Sequence, residues 1–135
     1  MFGKKKTKKL EWEKDQNIQR QMTNLVTELK MDHVIPERVF CYRTTGSKAH
    51  AYARIWAFPK VFQLALEIEP AYVMEIISER FDKLSADEKA KVILHELLHI
   101  PKNFSGSLLP HKYGNKRIDK EVEVLFKKYV LYSAR

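Results

Sequence analysis

A single cysteine, Cys41, among 135 residues excludes an internal disulfide, so no part of the fold rests on a sulfur staple. The expectation for such a residue is a small, buried apolar side chain, and the expected compartment is a reducing cytosol. Long apolar runs are missing too, and none approaches the roughly 20 residues that cross a bilayer. Glycines number four and prolines five, with no repeat or low-complexity block, which excludes fibrous and linker-like classes. At the start, MFGKKKTKKLEWEKDQ passes from lysines into further charges where a secretory leader requires an apolar core. A cytoplasmic protein without membrane association is the resulting expectation.

What is present reads as an ordinary globular chain, 44% hydrophobic and 31% charged, long enough to bury a core as one domain. The net charge of +8 bears on association with polyanions and says nothing about fold. Lys4, Lys5, Lys6, Lys8 and Lys9 carry part of it. Residues 1–9 are therefore read as a basic, solvated tail and 10–135 as a single domain. Nucleic acid is a candidate partner through that tail, although no Arg-aromatic-Arg interleaving along the sequence and no nucleic-acid motif accompanies it. The oligomeric state is not legible.

Apolar periodicity orders the rest. Ile18, Met22, Leu25, Val26 and Leu29 mark one face of a helix between about Leu10 and Lys30, closed off by Pro36. RVFCYRT then alternates, giving a strand over Val39–Arg43, and AYARIWAF alternates again after the turn at TGS, so residues 39–58 form a hairpin or two neighbouring strands. PKVFQLALEIEP fits a period of two and a helical turn alike; Pro59 favours a short helix. AYVMEIIS, between Pro70 and Ser78, reads as a strand. In SADEKAKVILHELLHIP, Ser85 and Glu88 have capping-box spacing, and the helix they open ends after His99, at Pro101. Ile118, Val122, Leu125, Phe126 and Tyr129 mark a final amphipathic helix. The fold class that follows is α+β.

Three of the five histidines lie between residues 95 and 111. His95 and His99 are four residues apart on a predicted helix, so their imidazoles share one face, one turn from each other, at a separation one tetrahedral ion bridges. Glu96 is offset by about 100° and lies beside the position left for water, where a general base belongs. A catalytic zinc needs a third protein ligand, and His111 is the candidate, because Pro101, Gly106 and Pro110 give the intervening segment the turns to come back over the helix end. A solitary helical histidine is more simply a core residue bonded to backbone. A pair enclosing a glutamate and followed by a third histidine favours metal. His33 and His50 have no partner at ligand spacing and are read as ordinary surface or turn residues.

ISERFDKLSADEKAKVILHELLHIPKNFSGSLLPH, residues 76–111, resembles the phage-type metallopeptidases of archaea, bacteria and their viruses, zincin-like proteins with an HELLHIP core and a downstream Gly-x4-His. It is also distantly similar to SprT-type proteases. The resemblance implies a minimal zincin-like domain: an N-terminal helix, a small, mainly antiparallel sheet of about three strands, an active-site helix with HExxH, and a C-terminal helix. It implies Zn2+ as cofactor, His95, His99 and His111 at the metal positions, and Glu96 as the catalytic carboxylate. Gly106 stands seven residues beyond His99, which departs from the metzincin spacing.

The expected activity is zinc-dependent peptide-bond hydrolysis, Glu96 taking the proton of a metal-bound water as it attacks a peptide or protein substrate. Asp119, Glu121 and Glu123 are candidates to fix a histidine tautomer, with surface ion pairs as the simpler role for each. Tyr113 and Arg117 are candidate oxyanion donors, and AYVMEIIS a candidate edge strand for substrate. The rival readings are a basic nucleic-acid-associated protein with a structural or vestigial zinc site, and a DNA-stimulated protease.

Overall fold

The computed structural model describes residues 9–134, so the lysine-rich tail, apart from Lys9, lies outside the described residues. A four-residue strand β1 (Glu11–Lys14) leads into helix α1 (Gln16–Glu28). The helix starts later than apolar spacing alone indicates, because Asp15 caps it: its carboxylate accepts the Ile18 N–H at 3.0 Å, relieving one of the four orphan donors of the first turn. Ile18, Met22, Leu25 and Val26 supply its buried face.

After a 3-10 turn at Pro36–Arg38 come β2 (Val39–Thr45), β3 (Ala53–Ala57), α2 (Lys60–Leu66), β4 (Tyr72–Ile77), a single-turn helix α3 (Ser78–Phe81) and α4 (Ala86–Leu97). Two-residue strands β5 (Lys112–Tyr113) and β6 (Lys116–Arg117) form a small hairpin before α5 (Ile118–Ser133). The main sheet has four strands in the order β1-β2-β4-β3. It is mixed: β2 runs parallel to β4, whereas β1 on β2 and β3 on β4 are antiparallel.

This corrects several expectations. The sheet has four strands where about three are expected, because Glu11–Lys14 pairs with β2 instead of opening the helix, and its central pair is parallel. β2 and β3 are neither a hairpin nor neighbours, since β4 lies between them. For the same reason AYVMEIIS is a central strand and not an edge. The physical cause is its composition: Tyr72, Met74 and Ile76 are buried on one face, and Glu75 and Ile77 on the other, a two-sided burial that suits an interior strand. The edges are β1 and β3.

α1, α4 and α5 stack on one face of the sheet, where Met22 and Leu25, Ile93, Leu94 and Leu97, and Ile118 and Val122 meet Val39, Cys41, Tyr72, Met74 and Ile76 in one core. Cys41 is buried and its thiol is pushed up to about 12 by desolvation and by Asp15, the inert apolar residue expected. α4 carries the expected capping box, with Ser85 and Glu88 bonded reciprocally at 3.2 Å. Among the described residues no helix is long and apolar enough to cross a membrane.

Candidate metal centre

α4 presents His95 in its last turn. Its regular part ends at Leu97, and His99 follows in a tightened turn whose N–H reaches the Glu96 carbonyl at 3.1 Å. The tightening still leaves His99 about one turn from His95, the two ring centroids 5.1 Å apart. The following segment then returns. His111 lies 5.1 Å from the His95 ring and 4.6 Å from that of His99, centroid to centroid. One ligand nitrogen from each of the three lies within 4.8 Å of the others. These three histidines are the group among the described residues with metal-binding geometry.

The return is pinned at successive points. Gln63, the one buried residue of α2, donates to the carbonyls of Phe58 (2.9 Å) and Ser105 (3.0 Å). Tyr72 of β4 donates its hydroxyl to the Ser107 carbonyl at 2.8 Å and accepts the Gly106 N–H at 2.9 Å. Gly106 sits at φ +92°, and a Cβ there would come within 2.6 Å of the Phe58 carbonyl oxygen, so both backbone and space demand glycine. The Leu109 N–H donates to the His99 carbonyl at 2.7 Å, and the Ile118 N–H to that of His111 at 3.0 Å.

One further bond sets the chemistry of His99. Its Nδ1 lies 2.5 Å from the Leu109 carbonyl oxygen. A carbonyl only accepts, so Nδ1 carries the proton and Nε2 keeps its lone pair for a cation. A backbone carbonyl thus fills the orienting role for which Asp119, Glu121 and Glu123 were candidates. Asp119 pairs with Arg117 and Glu123 with Lys91, both at 3.2 Å, and Glu121 bonds the Tyr113 side chain. Tyr113 lines a separate cavity beside His33 and Lys102. Arg117 is exposed and engaged with Asp119. His50 bonds Arg80 at 2.6 Å through Nδ1, in keeping with an ordinary surface residue.

The histidines and Glu96 share a cleft of about 920 Å3 bounded by β3, α4, residues 108–111 and the start of α5. Glu96 is 7% exposed, and burial pushes its carboxyl up to about 7, into the range of a base that operates near neutrality. Desolvation, with His99 and His111 adding to it, holds His95 down to about 4 against the pull of Asp119. Burial also lowers His99. Neutral imidazoles are the form that binds a cation, and the environment of His95 and His99 favours that form. Around zinc at 2.0–2.1 Å, tetrahedral nitrogens stand roughly 3.4 Å apart, and the three ligand nitrogens here lie within 4.8 Å of one another. The donor set fits zinc.

The sequence profile described as "Putative phage metallopeptidase" matches residues 10–129, all but the first nine and last six positions. No curated protein and no solved structure matches the chain. With its profile spanning the helices and strands that build the cleft, this chain belongs to the phage metallopeptidase family.

Proposed function

We propose that the protein is a zinc-dependent peptidase in which His95, His99 and His111 hold the metal and Glu96 is the general base. The observation that carries this reading is the convergence of the three imidazoles on one side of a cleft that also contains a buried carboxylate. When bound, zinc supplies Lewis acidity, polarising the scissile carbonyl and lowering the pKa of water in the cleft. Glu96 takes the proton of the attacking water and delivers it to the leaving amine. Its desolvated setting raises its basicity for the first step and makes it a competent acid for the second. His99 is held in one tautomer by Leu109, so its orientation is fixed before any ion arrives.

The unpaired edge of β3 borders this cleft, and an extended peptide fits there. Tyr52 gives its carbonyl to the Ile77 N–H at 3.0 Å. In an antiparallel ladder the bonded residues alternate, so the main-chain groups of Ala53, Ile55 and Ala57 point away from β4. Those groups are free to add a substrate strand. A substrate peptide N-methylated at alternate amides is expected to lose turnover, whereas methylation at the intervening amides leaves it.

The direct test is Glu96→Gln. We expect full zinc content with casein cleavage reduced by at least about 1,000-fold, in the range that loss of a general base produces. Cleavage by this variant at the wild-type rate would remove Glu96 from the mechanism. A free, buried cysteine and the absence of disulfides fit a cytosolic setting for this activity.

A further inference from the structure

The helices α1, α4 and α5 cover one face of the main sheet, and the opposite alternation of side chains forms a second surface. On β1 it carries Trp12 and Lys14, opposite Thr44 and Tyr42 of β2. Phe40 of β2 stands opposite Val73 of β4, and Trp56 of β3 faces Val73 from the other side. Both tryptophans of the chain are therefore on this face. Trp12 is 50% exposed, Phe40 41% and Trp56 47%, a solvent-facing aromatic set of a kind that marks binding surfaces.

Charge identifies the occupant. Arg54 stands over the Trp56 ring at 5.3 Å from its centroid, and Lys14 is exposed on the far strand. Among the described strand residues of this face one carries a carboxylate, Glu75, which is fully buried. It is neutralised by the Thr44 hydroxyl at 2.7 Å, the Trp56 indole N–H at 2.8 Å and the Arg54 guanidinium at 3.4 Å. Glu11 and Glu13 belong to the other alternation, paired with Thr45 and Arg43. The Arg54 and Glu75 charges offset one another, so the surface shown to solvent is aromatic with Lys14 as its net cation, on a chain of net charge +8. In sequence it follows immediately on the five lysines at positions 4 to 9.

We propose that this sheet face binds single-stranded nucleic acid, with Trp12, Phe40 and Trp56 stacking on unpaired bases and Lys14 and Arg54 contacting phosphates. Three interstrand spacings separate β1 from β3, roughly 14 Å, enough for a short run of nucleotides to cross the sheet. Paired bases hide their flat faces in the duplex, so the aromatic part of the surface selects single strands. This inference does not depend on peptidase activity, and its failure leaves the metal centre untouched.

The test uses the zinc-loaded, full-length Glu96→Gln protein and an oligothymidine of about 16 nucleotides, a length within the range one such platform occupies. Saturable quenching of tryptophan fluorescence at low salt is expected, weakening as salt rises. Anisotropy of a labelled oligonucleotide should show Trp12→Ala and Phe40→Ala each weakening binding about tenfold, within the range of one lost base stack. Trp12→Phe keeps a stacking ring and is expected to rescue binding to within about threefold of wild type. Both sites are exposed, so unchanged circular dichroism and melting temperature serve as the folding check. Three results would overturn the proposal: no binding at low salt, equal competition by duplex DNA, or binding lost on deleting residues 1–9 while the Trp12 and Phe40 variants bind as wild type.

Discussion

Glu96 and His95 sit side by side in sequence and are shifted in opposite directions by one cause, removal from water. For Glu96 the folded pKa of about 7 lies above its ordinary 4.5. Its contribution to the stability of the metal-free protein is fully present below pH 4.5 and lost as pH rises through about 7. For His95 the folded value, about 4, lies below 6.5, so its contribution is present above pH 6.5 and lost as pH falls through about 4. Glu96→Gln should therefore stabilise the chelated protein by about 3 kcal/mol at pH 8 and by almost nothing at pH 4. Urea unfolding at the two pH values reads this directly. A variant no more stable than wild type at pH 8 would show that Glu96 is solvated. Removing His99 is a different experiment: His99→Ala deletes a ligand and the partner of the Leu109 carbonyl together, so both metal and activity should be lost.

The elements that hold the site differ in how far local sequence encodes them. α4 is legible apart from its end: its cap and apolar face are short-range signals, but the regular helix stops at Leu97, two residues before the limit expected from Pro101, and Ser85→Ala should cost about 1 kcal/mol in a urea titration. α1 is legible except for its start, because Asp15 outranks the apolar periodicity that continues before it. The order of strands is not legible, since pairing of β2 with β4 depends on contacts across more than 30 residues that no local pattern records. Glu75 shows the same limit. A charged residue in AYVMEIIS reads as a sign of a solvent-facing strand position, yet three donors from two other strands bury it. The return of His111 was foreseeable from Gly106 and Pro110, but the anchors at Gln63 and Tyr72 were not, because both are remote in sequence. Gly106→Ala forces a Cβ against the Phe58 carbonyl and should cost about 2 kcal/mol or more. It should also weaken zinc binding in a chelator competition, although residue 106 touches no ligand. Unchanged affinity would mean that the segment carrying His111 finds its place without this anchor.

At the scale of the whole molecule, the same sheet serves two surfaces. Its helix-covered face supports the metal cleft at the β3 edge, and its other face carries the exposed aromatics. The alternation that separates these faces is visible in β2 and β3, whereas Trp12 and Lys14 fall in a segment that reads as helix, and the aromatic and cationic residues come together only once β1 is paired with β2 and β4 is placed between β2 and β3. Linear scanning for interleaved arginines and aromatics therefore does not detect this juxtaposition. The metal is expected to act on the whole fold as well, because its ligands join α4 to the segment leading into α5. At a free zinc concentration of a hundred times Kd, the folded state should gain about 2.7 kcal/mol, raising the melting temperature, and chelation should reverse it. The most direct measurement of the central claim is the zinc content of purified protein beside that of His111→Ala. One zinc per chain in wild type and none retained in the variant is the predicted result. Wild-type protein without stoichiometric metal, or a variant that keeps its full complement, would contradict it.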